Sequence, residues 1–259
     1  MVKKFSDLSN RYQIEQEKFD RIAHGQHDGN DLVVPQGVDF HSAARKDTYL
    51  PWVSEFLGEL EGRKVLEVGC GTGELTVLFA LSGALVSAFD ISPKSIEVTR
   101  NRCTINGVSD RVDLRVAVGE ELPYESEAFD IVFGKSILHH LDVNLAGPEL
   151  YRVLKTGGKA TFSEPLANNY VIEFIRDYMP YARKSERGTD IPLKYADLEA
   201  WGKPYKQFSY KEFYFLGALD RAVGWRWEFW PLHRLDRVLL RRFKFLRPFA
   251  TYCIMFMEK

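Results

Sequence analysis

Cysteine is scarce in this 259-residue sequence, which has only Cys70, Cys103 and Cys253. Three widely spaced cysteines fit neither a zinc-ligand pattern nor a disulfide-dense secreted scaffold, and a reducing, cytoplasmic setting is expected. An excess of one charge is also missing. The 35 basic and 36 acidic residues leave a net charge of -1, which gives no general reason to expect nucleic acid as a partner. No apolar run approaches the roughly 20 residues needed to span a bilayer. The opening stretch Met1-Val2-Lys3-Lys4-Phe5-Ser6-Asp7 turns polar too soon for a signal peptide, so a soluble protein is expected. Internal repeats and low-complexity tracts are absent as well. What remains is an ordinary globular composition, 45% hydrophobic and 27% charged. The chain is long enough to bury most of its unfolded surface without a disulfide or metal staple.

The pattern changes character twice along the chain. Up to about Gly58 it is polar and aromatic, with Leu50, Val53, Phe56, Leu57 and Leu60 at helical spacing. From Lys64 to Pro165 short apolar runs alternate with helical ones. Strands are expected at Lys64–Val68, Ala84–Phe89, Val112–Val116, Phe129–Phe133 and Lys159–Ser163. Helices are expected at Glu74–Ser82, Pro93–Asn106 and Gly147–Leu154, the last stopped by Lys155-Thr156-Gly157-Gly158. Such alternation predicts a parallel sheet covered by helices on both faces. Beyond Pro165 the spacing predicts helices at Tyr170–Tyr178 and Tyr195–Trp201, with a polar loop over Arg183–Pro192. Two further strands, Gln207–Leu216 and Thr251–Met257, are expected to pair around a helical excursion.

The segment from Val65 to Gly73 runs from a buried strand into a turn with Gly69, Gly71 and Gly73. Glycines there permit positive backbone angles and let a ligand lie against the main chain, facing the next helix N-terminus. The Gly-X-Gly-X-Gly spacing differs from the Gly-X-Gly-X-X-Gly of dinucleotide binders. Glu67 before the turn would repel a pyrophosphate and attract an amino-bearing ligand, which disfavours a nicotinamide-dependent oxidoreductase. Asp90, ending the second strand, supplies an acceptor-only group suited to ribose hydroxyls. The competing readings are a purely structural turn for the glycines and a helix N-cap for Asp90, although Ser92 before Pro93 is the better cap.

Val65-Leu66-Glu67-Val68-Gly69-Cys70-Gly71-Thr72-Gly73 resembles the first motif of class I S-adenosylmethionine-dependent methyltransferases. Phe89-Asp90-Ile91-Ser92, Glu120-Glu121-Leu122-Pro123 with Phe129-Asp130-Ile131-Val132, Ile137-Leu138-His139-His140-Leu141 and Leu154-Lys155-Thr156-Gly157-Gly158 resemble later motifs in the expected order. The resemblance covers about residues 60 to 165. It implies an α/β, Rossmann-like three-layer sandwich with a seven-stranded, mostly parallel sheet, an antiparallel last strand and a helical substrate cap. Residues 1–58 then form an N-terminal helical cap segment, 59–165 the cofactor-binding core, and 166–259 a substrate-cap insertion with the final strands.

The resemblance further implies S-adenosyl-L-methionine as methyl donor, with S-adenosyl-L-homocysteine as product. The donor would be held by Glu67, Gly69, Gly71, Gly73, Asp90, Ile91, Val118, Gly119 and Lys135. In many relatives an acid stands two residues before the position of Glu120. Val118 occupies that place here, so adenine is expected to rest on packing and on the backbone of Gly119, with Ile91 against its face.

His139 and His140 follow the fourth strand, on the rim where α/β folds place ligands. A neutral imidazole there can accept a proton as a methyl group moves, and both are catalytic candidates. The alternative is that one packs and caps while the other shapes the pocket. Glu164 is a second candidate base, with a plain loop carboxylate as its alternative. The expected acceptor is a small, largely apolar metabolite methylated on oxygen or carbon. A non-catalytic, cofactor-binding scaffold or sensor is the rival. The basic, apolar stretch from Arg234 to Arg247 suits either a helix packed on the sheet, which is the preferred reading, or contact with an anionic membrane surface.

Overall fold

β-branched and aromatic residues dominate the short apolar runs, and they form strands wherever both faces of the sheet are covered. The computed structural model describes residues 8–24, 32–169, 173, 174, 178, 191–216 and 230–259. Its strands are β1 (Lys64–Val68), β2 (Leu85–Asp90), β3 (Val112–Val116), β4 (Phe129–Lys135), β5 (Leu154–Pro165), β6 (Gln207–Phe213) and β7 (Tyr252–Glu258). They form one seven-stranded sheet in the order β3-β2-β1-β4-β5-β7-β6. β1 pairs in parallel with β2 and β4, β2 with β3, and β4 with β5, whereas β7 runs antiparallel to both β5 and β6. This is the mostly parallel sheet with an antiparallel last strand that the resemblance implied.

Helices cover both faces. On one side α2 (Phe40–Ala44), α3 (Leu50–Leu57), α4 (Glu74–Leu81) and α5 (Pro93–Ile105) contribute to a core that includes Phe40, Val53, Phe79, Phe133 and Ile254. On the other, α6 (Val143–Val153) and the helix Tyr195–Gly202 pack around Leu66, Val132, Leu150, Phe162 and Trp201. α1 (Leu8–His24) lies along α5, with the Asp20 carboxylate accepting the Lys94 N–H at 3.2 Å and the Ser92 hydroxyl. The reversal of strand order falls between β1 and β4, so their carboxyl ends border the crevice where open α/β sheets bind ligands.

The largest departures from the expected boundaries are at α6 and β5. α6 starts at Val143 rather than Gly147, because Asp142 caps it by accepting the Asn144 N–H at 2.8 Å. Lys155-Thr156-Gly157-Gly158 lies inside β5 rather than before it. The pairing with β4 jumps from Leu154 to Lys159, and Gly157 adopts φ +74° within this irregularity. Most of the expected Tyr170–Tyr178 helix and of the Arg183–Pro192 loop lies outside the described residues.

The α2–α4 face depends on one aromatic stack. Phe79 is fully buried, with its ring 4.5 Å from that of Phe40 and 5.1 Å from that of Phe133. Phe79→Ala should cost about 3–5 kcal/mol in a urea-unfolding measurement; a loss below about 1 kcal/mol would show that the stack is not a keystone of this face.

Candidate functional site

The loop after β1 is held from below by buried carboxylates. Asp90 ends β2, and burial raises its pKa above the ordinary carboxylate value. One of its oxygens accepts the Gly71 N–H at 2.9 Å and the other the Ser92 N–H at 2.9 Å. A carboxylate offers about four lone-pair sites, so two remain for a ligand. The loop is also stitched to α5, because Thr99 donates its hydroxyl to the Gly71 carbonyl and Arg102 Nε reaches the Thr72 carbonyl.

Glycine is required in this loop for space as well as angle. A Cβ on Gly69 would come within 2.7 Å of Ile137, and one on Gly73 within 2.5 Å of Thr99. Above the loop lies a cavity of about 250 Å³. Gly69, Gly71, Asp90, Ile91, Val118, Gly119, Lys135 and His140 all line it. Phe89, Ala117, Ser136, Ile137 and Leu141 complete its floor and sides.

Two of the expected donor residues are not on that wall. Gly73 sits behind it as the left-handed N-cap of α4, where its role is close packing against α5. Glu67 is 4% exposed and accepts a hydrogen bond from the Thr76 hydroxyl, beneath the loop. Glu67 thus anchors the loop to α4 through one carboxylate oxygen. Burial pushes its carboxyl up to about 8, against the opposing hydrogen bond from Thr76.

α1 closes the cavity, with Tyr12, Glu15 and Phe19 on its wall. Arg11 reaches Glu120 Oε1 at 3.1 Å, and the same oxygen accepts the Asp142 N–H at 3.1 Å. Glu120 Oε2 is buried and has no hydrogen-bond partner. Burial, together with the charge of Glu120, pushes the Tyr12 phenol up to about 12. Sequence reading made this N-terminal segment a helical cap without placing it against the cavity over Gly69 and Asp90. The available signal was the stripe Arg11, Glu15, Phe19, at a helical spacing of four.

The paired histidines have different surroundings. His140 lines the cavity, 3.5 Å from Glu15 and edge-on to the Phe19 ring. His139 lies off that wall and places Nδ1 2.7 Å from Glu164 Oε2. Glu164 is fully buried at the end of β5, and its other oxygen accepts the N–H groups of Ile137 and Leu138, each at 2.9 Å. A carboxylate loaded in this way fixes the Nδ1–H tautomer of His139 and leaves Nε2 as the acceptor. Glu164 thus holds the imidazole and the two amides of the turn together.

The raised carboxyl of Glu67 has a consequence for pH. Between the ordinary carboxylate range and about 8 the folded chain holds a proton that the unfolded chain has lost, so stability falls as pH rises through that window. Glu67→Gln should raise the melting temperature by several degrees near the top of the window and leave it nearly unchanged at the bottom. An equal shift at both ends would contradict the assignment.

Comparison with known proteins agrees with this geometry. A family model described as a methyltransferase domain matches residues 66–162. A ubiquinone biosynthesis O-methyltransferase of Pseudomonas savastanoi pv. phaseolicola is 32% identical over 164 residues, 59% of this chain and 67% of the relative. A demethylmenaquinone methyltransferase of Tropheryma whipplei is 35% identical over 132 residues, 49% of this chain and 52% of the relative. The chain spans about half the length of the first curated relatives it matches. Among solved structures, a putative sarcosine dimethylglycine methyltransferase from Galdieria sulphuraria superposes with a TM-score of 0.59 at 17% identity, covering 93% of this chain and 98% of that one. Loop, sheet order and relatives agree, and the chain belongs to the class I S-adenosylmethionine-dependent methyltransferase family.

Proposed function

We propose that the chain transfers a methyl group from S-adenosylmethionine to oxygen or carbon of a small, largely apolar metabolite. The observation that carries this reading is the cavity over Gly69–Gly71 and Asp90, next to a histidine oriented by a buried glutamate. When bound, the donor supplies an electrophilic sulfonium methyl group. The residues present fit it. Asp90 keeps two lone pairs for the ribose hydroxyls, and Ile91 and Val118 offer apolar surface to the adenine. Glu120 Oε2, buried without a partner, is suited to accept from the adenine amino group. This gives Glu120 a larger part than its distance from Val118 in the motif suggested. Lys135, on the cavity wall at the end of β4, belongs to the same set.

Methyl transfer depends mainly on holding two reactants in line, and a base helps only when the acceptor loses a proton. His139 is the residue equipped for that step. Glu164 holds its Nδ1–H, so Nε2 is free to take a proton from an acceptor hydroxyl or acidic carbon. His140, pressed between Phe19 and Glu15, is better suited to joining α1 to the donor cavity. An apolar acceptor agrees with the aromatic residues Tyr49, Phe213, Tyr214 and Tyr252 clustered beside the carboxyl end of β5. The hydroxyls of Tyr49 and Ser163 are buried there as neighbours and can orient a polar atom of the acceptor. The relatives' names, ubiquinone and demethylmenaquinone, point to largely apolar molecules in those proteins.

A split in kinetic constants tests these roles. Asp90→Ala should raise the KM for the donor by about tenfold or more, because hydrogen bonds to a charged acceptor are lost. His139→Ala should lower kcat by about 10²–10⁴-fold with little change in donor KM. Glu164→Gln should lower kcat in the same sense and by less, since the imidazole stays but is less firmly oriented. A rise in donor KM with kcat intact for His139→Ala would assign His139 to binding instead.

A further inference from the structure

The stretch from Arg234 to Arg247 carries six bases, Arg234, Arg237, Arg241, Arg242, Lys244 and Arg247, against one acid, Asp236, in a chain whose net charge is -1. Its acid faces inward. Asp236 is 3% exposed and accepts the N–H groups of Phe215 and Leu216, at 3.0 and 2.6 Å, which fastens the helix Trp230–Arg242 to the segment after β6. Leu240 is buried on the same side. What faces outward is therefore set by the helical period. At about 100° per residue, Arg237, Arg241, Val238, Arg242 and Leu235 follow one another around an arc of about 160°. Val238 is 62% exposed and Leu235 45%. The turn beyond the helix adds Phe245, at 71% the most exposed large hydrophobic residue among those described.

Apolar side chains interleaved with cations are unfavourable in water and have a natural counterpart. We propose that this face docks on an anionic phospholipid membrane, with Leu235, Val238 and Phe245 entering the headgroup layer and the arginines meeting lipid phosphates. A recess of about 420 Å³ opens at its edge, between the helix and β6. Arg237, Arg241, Arg247 and Lys211 border it, with Trp52 as one wall, and Glu212 is the one acid there. Glu212 already accepts a hydrogen bond from the Tyr195 hydroxyl at 3.1 Å. Four cations around one such recess suit a headgroup phosphate. A second copy of the chain is a poor occupant, because a two-fold contact would bring the two sets of bases together. A nucleic acid would leave Leu235, Val238 and Phe245 without a role. No helix among the described residues is long and apolar enough to cross a bilayer, so the contact is peripheral.

Sedimentation of the full chain with vesicles tests the inference, and needs neither methyl donor nor acceptor. Vesicles of equal parts phosphatidylcholine and phosphatidylglycerol should bind it at least tenfold more strongly than phosphatidylcholine alone, with binding weakened by salt. Each charge removed should cost about fivefold, so the double variant Arg241→Glu/Arg242→Glu should lose more than tenfold. Phe245→Ser should lose several-fold at unchanged charge, with the melting temperature and S-adenosylhomocysteine binding of both variants unaltered. Equal affinity for the two vesicle types would overturn the proposal. So would undiminished binding by both variants, stronger binding to duplex DNA than to vesicles at the same salt, or self-association that Phe245→Ser abolishes.

Discussion

Everything at the carboxyl edge of the sheet depends on Asp90 accepting two backbone amides at once. Its carboxylate joins the Gly71 N–H of the loop after β1 to the Ser92 N–H that opens α5. Burial opposes the charge and raises its pKa, and the two amides work against that cost. The contact sets the distance between loop and helix. Gly69 and Gly73 can then meet Ile137 and Thr99 so closely that no side chain fits. A cavity floored by main chain follows from this, and so does the need for glycine.

Glu164 repeats the device three strands away, at the end of β5. It gathers the N–H groups of Ile137 and Leu138 with one oxygen and holds His139 with the other. Glu120 does something similar at the rim, where Arg11 of α1 and the amide of Asp142 share one oxygen. Three buried or nearly buried carboxylates thus organise the turns around β4 and the neighbouring strands. Each leaves capacity or orientation in hand for a ligand: lone pairs on Asp90, an unpartnered oxygen on Glu120, and a fixed tautomer on the imidazole held by Glu164. Buried carboxylates with unused acceptor capacity are expensive for stability alone, and their concentration here fits a binding function.

The central sheet was legible because its signals are local. Apolar runs from Lys64 to Val68 and from Phe129 to Phe133 can be read residue by residue, and the glycines with Asp90 fall at fixed offsets. Glu67 was only half legible. Its place before the turn is visible in sequence, but its partner Thr76 is settled by how α4 packs. The place of α1 was similarly hidden, since a polar-aromatic helix looks alike wherever it packs. The contacts of Arg11, Glu15 and Phe19 set it against Glu120 and His140. The bulge in β5 was read as a helix stop because Gly157 and Gly158 suit both, and strand pairing chooses between them.

The most direct test of the central claim, that the cavity over Asp90 and beneath α1 is a methyl-donor site, is calorimetric titration of S-adenosylhomocysteine into the purified chain. The account predicts saturable one-to-one binding, with none for NADH under the same conditions. Absence of S-adenosylhomocysteine binding, or binding of NADH in its place, would contradict it.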